Sequence, residues 1–301
     1  MSDALTATDL RKQFRNAVAL EHVSLTIPAG SVFGLVGPNG AGKTTMIKIL
    51  MNILSATSGE ATVLGVNSAN LGQDDYCRIG YVSENQDMPD WMTVSYFLRY
   101  LKEFYPSWDE KYVAEVVRQF DLPAGRELGH LSRGMRMKVA LVSCLAYRPR
   151  LLVLDEPFSG LDPLVREDLI EGLLDIAGET TMFISSHDLA EIESFASHIG
   201  YLDRGILQFS EEMTSLSSRF REVEVTLDPA SVVAARADWP ASWMRPESSS
   251  AVVRFVETRF DPERTNGEIR RLFGDVKHIA VNPMSLRAIF ITIARSGLKA
   301  A

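Results

Sequence analysis

Gly37-Pro38-Asn39-Gly40-Ala41-Gly42-Lys43-Thr44 sets spaced glycines ahead of a lysine and a hydroxyl, with Thr45 behind them. Such a loop can turn its backbone N–H groups toward phosphate oxygens at the positive end of a helix. Lys43 can then reach the β and γ phosphates, while the Thr44 hydroxyl offers an oxygen to Mg²⁺. Further along, Asp155 and Glu156 follow the apolar run Leu151 to Leu154. They therefore emerge at the end of a buried strand, where open α/β sheets bind ligands. Asp155 suits Mg²⁺, and Glu156 suits orienting and polarising an attacking water. A third stretch, Leu131-Ser132-Arg133-Gly134-Met135, puts a hydroxyl and a glycine at the start of a helical pattern ahead of that strand.

The elements that position these groups follow from hydrophobic spacing. Val18, Leu20, Val23, Leu25 and Ile27 alternate with polar neighbours up to Pro28-Ala29-Gly30, which predicts antiparallel strands and a turn. Val32 to Val36 is a continuous apolar run, as a strand covered on both faces requires, and it enters the glycine-rich loop directly. Residues 44–54 then take helical spacing. Between residues 86 and 148 the texture becomes helical, with Val94, Phe97, Leu98, Leu101 and Phe104 or Tyr105 on one face, then Val113, Val116, Val117 and Phe120 on another. Leu151 to Leu154 and Met182 to Ile184 are further buried strands, separated by a helix over about 164–177. This alternation predicts a mainly parallel sheet.

After residue 218 the pattern changes again. Val223, Val225 and Leu227 alternate, and residues 252–260 form a second strand. Thr265 and Glu268 make a capping-box pattern before Ile269, Leu272 and Phe273, and Ser285 caps a last helix through Leu286, Ile289, Phe290 and Ile293. The reading is thus a domain over 1–218, with a helical insertion at about 86–148, and a small α+β accessory domain over 219–301.

The chain has 301 residues, 46% hydrophobic and 23% charged, with a formal net charge of −8. That is the composition of a globular protein, and the acidic balance argues against a nucleic-acid partner, which needs clustered cations. Cys77 and Cys144 lack metal-ligand spacing, and no apolar run is long enough to span a bilayer. The first residues carry acids and no apolar core, unlike a signal peptide.

The order of phosphate loop, Leu-Ser-x-Gly, apolar-Asp-Glu-Pro, Ser159-Gly160-Leu161-Asp162 and Ser186-His187-Asp188 resembles that of an ABC transporter nucleotide-binding subunit, over about residues 3–215. The fold this resemblance implies is α/β, an ABC-type P-loop NTPase core with an antiparallel β subdomain and an inserted helical subdomain, followed here by the small C-terminal α+β domain. It implies ATP and Mg²⁺ as cofactors, with Phe14 stacking on adenine beside Val18. Gly37, Pro38, Asn39, Gly40, Ala41, Gly42, Lys43, Thr44 and Thr45 would bind the phosphates. Glu156 would be general base, His187 would contact the γ-phosphate, and Thr44 and Asp155 would hold the metal. Ser132, Arg133, Gly134, Met135 and Asp162 would face the nucleotide of a second subunit.

The resemblance also implies partners: a second copy or a paralogous ATPase subunit in an ATP-sandwiched pair, and a separate transmembrane permease. It places the chain in the cytoplasm, peripheral at the inner face of the cell membrane, powering substrate movement of the ABC-2 export type. Alternative readings are a soluble non-transport ATPase and a regulatory ATP-binding module with little hydrolysis. Three positions depart from the family pattern. Arg133 stands for the first glycine of Leu-Ser-Gly-Gly, Met135 for glutamine, and Glu84 for the glutamine that follows Ile79-Gly80-Tyr81-Val82-Ser83. Glu84 keeps a catalytic and metal-binding assignment on spacing, with Gln86 as its rival. Arg133 either adds a cation near phosphate or pairs with an acid. Met88, Trp91 and Met92 belong either at a membrane-subunit contact or inside the helical subdomain.

Overall fold

The computed structural model describes residues 3–84, 86–175, 179–228, 239–249 and 251–296. Two compact units divide the chain after Ser210, earlier than the boundary at 218 expected from the sequence.

In the first unit β1 (Asp3–Phe14) and β2 (Ala17–Pro28) form an antiparallel hairpin, and β3 (Val32–Val36) leads through the glycine-rich loop into α1 (Lys43–Leu50). β4 (Ser58–Val63), β5 (Val66–Asn67), the short α2 (Gln73–Tyr76) and β6 (Ile79–Val82) follow. Three helices come next: α3 (Val94–Lys102), α4 (Glu110–Gln119) and α5 (Arg133–Leu145). The chain then re-enters the sheet through β7 (Leu151–Asp155), α6 (Pro163–Leu174), β8 (Thr181–Ser186), β9 (His198–Asp203) and β10 (Ile206–Glu212).

Two sheets result. One has the order β2-β1-β4-β5, the other β10-β9-β3-β8-β7-β6. In the second sheet the run from β9 to β6 is parallel. Every residue of β3, β7 and β8 is buried, which is why Val32 to Val36, Leu151 to Leu154 and Met182 to Ile184 read as unbroken apolar runs. Phe33, Leu35, Met46, Ile47, Val153 and Phe183 pack with the inward faces of β1, β2 and β4 in one core.

The helical insertion is capped by its own sequence. Thr93 Oγ1 accepts from Tyr96 N at 3.2 Å and starts α3, and Asp109 Oδ1 accepts from Tyr112 N at 3.0 Å and starts α4. Val94, Phe97 and Leu98 turn inward as their spacing predicts. Of the two candidates at the end of that face, Tyr105 is the packed one, stacked on Tyr147 at 4.0 Å, whereas Phe104 is exposed. The helix expected over 164–177 is α6; residues 176 and 177 lie outside the described residues.

In the second unit α7 (Met213–Arg219), β11 (Arg221–Leu227), β12 (Trp243–Ser248), β13 (Val252–Glu257), α8 (Pro262–Phe273), β14 (Val276–Pro283) and α9 (Leu286–Ser296) follow in turn. The strands pair antiparallel in the order β12-β13-β11-β14. Val223, Val225 and Leu227 face Ile269 and Phe273 of α8, and Trp243 stacks on Phe255 at 3.6 Å. The capping box expected at Thr265 and Glu268 is corrected here. α8 starts one turn earlier, where Asp261 Oδ1 accepts from Arg264 N at 2.8 Å and Pro262 takes the first helical position. Ser285 does cap α9, accepting from Ala288 N at 3.3 Å.

Candidate nucleotide site

The site assembles at the carboxyl ends of β3, β7 and β8. Gly37 N donates to Ser186 O at 3.2 Å, tying the glycine-rich loop to the end of β8. Gly42 caps α1 in the left-handed region at φ 108°, and a Cβ added there would lie 2.5 Å from Ala19 O. Only glycine meets both constraints. Pro38, Asn39, Gly40 and Thr44 remain exposed, Thr45 is half-buried, and Ala41 is buried.

Lys43 is enclosed. Its Nζ donates to Gly37 O at 2.6 Å and Pro38 O at 3.3 Å, and sits 3.0 Å from Glu156 Oε1. The other oxygen of Glu156, Oε2, accepts from His187 N at 3.2 Å and lies 2.7 Å from His187 Nδ1. Glu156 itself takes a positive φ of 52°, unusual for a side chain of its size, with its N–H held by Ser185 Oγ at 3.0 Å. The same Ser185 hydroxyl donates to Asp155 Oδ1 at 2.7 Å, and Thr44 Oγ1 donates to that oxygen at 3.1 Å.

Burial pushes the Asp155 carboxyl above its usual range, against the pull of its hydrogen bonds to Ser185 and Thr44. A buried carboxylate beside a hydroxyl is a hard-oxygen pair of the kind Mg²⁺ takes. The hydrogen bond to Glu156 raises the His187 pKa above the ordinary imidazole value, outweighing its modest desolvation. Glu191 is buried behind this pair, bonded by Ser186 Oγ and 3.8 Å from Arg166 Nη1, and burial raises its pKa.

The remaining sequence candidates fall into two groups. Phe14 and Val18 stand half exposed on the β1–β2 hairpin, with Lys12 Nζ 5.1 Å from the Phe14 ring centroid. Ser132, Arg133, Gly134 and Met135 open α5, where Ser132 Oγ accepts from Met135 N at 3.2 Å, and Asp162 Oδ1 caps α6 by accepting from Val165 N at 3.2 Å. Glu84 does not join the Thr44–Asp155 pair. Its Oε1 accepts from Arg133 Nη2 and from Ser159 Oγ, both at 3.1 Å. Gln86, the rival, buries its Oε1, which has no hydrogen-bond partner among the described residues.

A family model described as ABC transporter matches residues 20–159. The ABC transporter ATP-binding protein YtrB of Bacillus subtilis is 31% identical over 221 residues, covering 73% of this chain and 75% of that one. The chain belongs to the ABC transporter ATP-binding proteins. The bacitracin transport ATP-binding protein BcrA of Bacillus licheniformis is 30% identical over 226 residues, 74% of each chain. Among solved structures, an ATP binding subunit of an ABC transporter superposes with a TM-score of 0.65 at 26% identity, covering 71% of this chain and 92% of the other. The α/β cassette fold and an ATPase role follow from that membership.

Two residues of this cassette's site had no role readable from the sequence, Ser159 having stood there only within its motif. Ser185 bridges Asp155 and the backbone of Glu156, and Ser159 reaches Glu84. The available signal was position: a Ser185-Ser186 pair closing an otherwise apolar strand breaks the pattern that burial demands.

Proposed function

We propose that the chain binds ATP with Mg²⁺ and hydrolyses it as half of an ATP-sandwiched pair, driving export through a separate membrane subunit. The observation that carries this reading is the buried Lys43–Glu156 pair, with the more exposed His187 bonded to it, beside the Thr44–Asp155 pair at the mouth of a phosphate loop. Transport is the work named for the BcrA relative, and among the described residues no helix is long and apolar enough to cross a membrane, which supports a separate permease.

Thr44 and Asp155 would hold Mg²⁺, which supplies charge neutralisation at the β and γ phosphates. Lys43 exchanges the Glu156 carboxylate for phosphate oxygens when the triphosphate enters. Glu156 keeps its second oxygen on His187 and turns the first toward a water, taking its proton as that water's oxygen bonds to the γ-phosphorus and the bond to the bridging oxygen breaks, leaving ADP and phosphate. His187 then orients the base and offers its proton side to the developing charge. Phe14, with Val18 beside it, is exposed and available for an adenine face. Ser132 and Gly134 lie at the positive end of α5, an anion-binding position suited to the nucleotide of a second copy or a paralogue. Binding energy for nucleotide thereby becomes closing energy for the pair. In this arrangement the chain works at the inner face of the cell membrane.

Glu156→Gln tests the assignment. The variant is expected to bind ATP and associate into pairs while turnover falls by about 10²-fold or more, the scale of general-base loss. Turnover near wild type would reassign the base.

A further inference from the structure

Two of the charges that depart from the pattern of related cassettes meet each other. Arg133 is the first residue of α5, a helix with no acidic residue in its first turn. A cation there opposes the positive end of the helix dipole, so by itself it is misplaced. Glu84 is also misplaced by itself. It lies just past β6, whose end pairs with that of β7 (Val82 opposite Leu154), so its carboxylate stands at the edge of the sheet that carries Asp155 and Glu156. A triphosphate entering there meets a further negative charge.

Together the two offset each other. Arg133 Nη2 donates to Glu84 Oε1 at 3.1 Å, and Ser159 Oγ donates to the same oxygen at 3.1 Å. Ser159 is itself tied back to the base segment, its N–H donating to Glu156 O at 3.2 Å. Beside it Gly160, at φ 68°, makes room for the guanidinium: a Cβ there would lie 2.7 Å from Arg133 Nη1. Three segments thus converge on one carboxylate: the loop after β6, the start of α5 and the turn after β7.

We propose that Arg133 is a positioning residue for Glu84, neutralising its carboxylate and holding it in a clasp with Ser159 at the edge of the nucleotide site. The proposal rests on the nucleotide-site reading above. It assigns the Arg133 charge to a carboxylate of its own chain and not to the phosphate of a neighbouring subunit. The chemistry is charge neutralisation at Glu84, with no covalent bond made or broken.

The test is a double-mutant cycle on the full chain: wild type, Arg133→Gly, Glu84→Gln and the double variant. ATP turnover is measured with Mg²⁺, and urea unfolding without nucleotide. Arg133→Gly is expected to raise KM for ATP by about tenfold, the scale of one unscreened charge several ångströms from phosphate. Glu84→Gln in the Arg133→Gly background should bring KM back to within about twofold of Glu84→Gln alone, because the charge to be compensated is gone. Arg133→Lys, which keeps the charge but not the fork, should fall between wild type and Arg133→Gly. If the KM increase persists in the double variant, Arg133 acts on phosphate directly and the proposal is overturned. In urea, Arg133→Gly should lower the midpoint of wild type but not that of Glu84→Gln, and additive shifts there would likewise overturn the clasp. The unfolding cycle needs no nucleotide, so it decides the clasp even if wild type fails to hydrolyse ATP, a result that would sink the ATPase reading separately.

Discussion

His187 and Glu156 form an ion pair whose strength depends on pH. The imidazole is partly exposed while the carboxylate is nearly enclosed, and the hydrogen bond between them raises the His187 pKa above its ordinary value of 6.5. The folded chain therefore binds the His187 proton more tightly than the unfolded chain does. The stabilisation is fully present below pH 6.5 and is lost as pH rises through the raised value. In nucleotide-free protein, the urea midpoint of wild type should exceed that of His187→Gln most clearly near pH 6 or below, with the gap closing above it. A gap that widens with pH would contradict the pairing. At this scale Lys43, Thr44, Asp155 and Glu156 could be read from the chemistry of their residue types, whereas His187 stood out only through the order of motifs that carries the resemblance. The sequence was not legible for Ser185 and Ser159, because a hydroxyl reveals its partner only when distant segments come together; Ser159 lies 75 positions from Glu84.

Among the elements, the helical insertion resolves a choice that spacing left open. Met88 and Met92 are buried, at 8% and 7% exposure, while Trp91 stands 66% exposed beside Tyr96, ring centroids 5.9 Å apart. The methionines are core and the tryptophan is exposed; a contact with a membrane subunit at Trp91 is a proposal. Trp91→Ala should leave the melting temperature of the isolated chain almost unchanged, since surface substitutions shift stability by only about 0.5 kcal/mol. Recovery of the chain with its membrane subunit should drop by about tenfold, the loss of one aromatic anchor. Undiminished recovery would place the contact elsewhere. The start of α8 illustrates the opposite case. Thr265 and Glu268 matched a cap pattern, yet Asp261-Pro262 one turn earlier is the actual start, and Thr265 Oγ1 and Glu268 Oε2 are buried with no hydrogen-bond partner among the described residues. Strands β12 and β14 were missed because neither alternates cleanly: β12 carries Pro246, and much of β14 is exposed.

For the whole molecule, β3, β7 and β8 of the parallel sheet were readable because fully buried strands leave apolar runs, while β6 and β9 of that sheet and half the sheet of the second unit lie in weak patterns. That second unit nevertheless has a core of its own, built from Val223, Val225, Val253, Phe255, Ile269 and Phe273 around Trp243. Residues 211–301 expressed alone should fold, with a single urea transition and a stability of about 5 kcal/mol, ordinary for a domain of that size. A non-cooperative transition would show that this core needs the rest of the chain. In the first unit, α5 is anchored at its far end, where Cys144 Sγ donates to Tyr81 O at 3.4 Å and Tyr147 Oη to Ile79 O at 2.9 Å. Its 13 residues make an arm about 20 Å long with Ser132 at the tip. With the fulcrum on β6, each degree of tilt sweeps Ser132 through about 0.3 Å. A swing of ten degrees moves that hydroxyl by about 3 Å, roughly the length of one hydrogen bond. Any small rotation of α5 about that end would thereby be geared into a displacement at Ser132 large enough to make or break a hydrogen bond there.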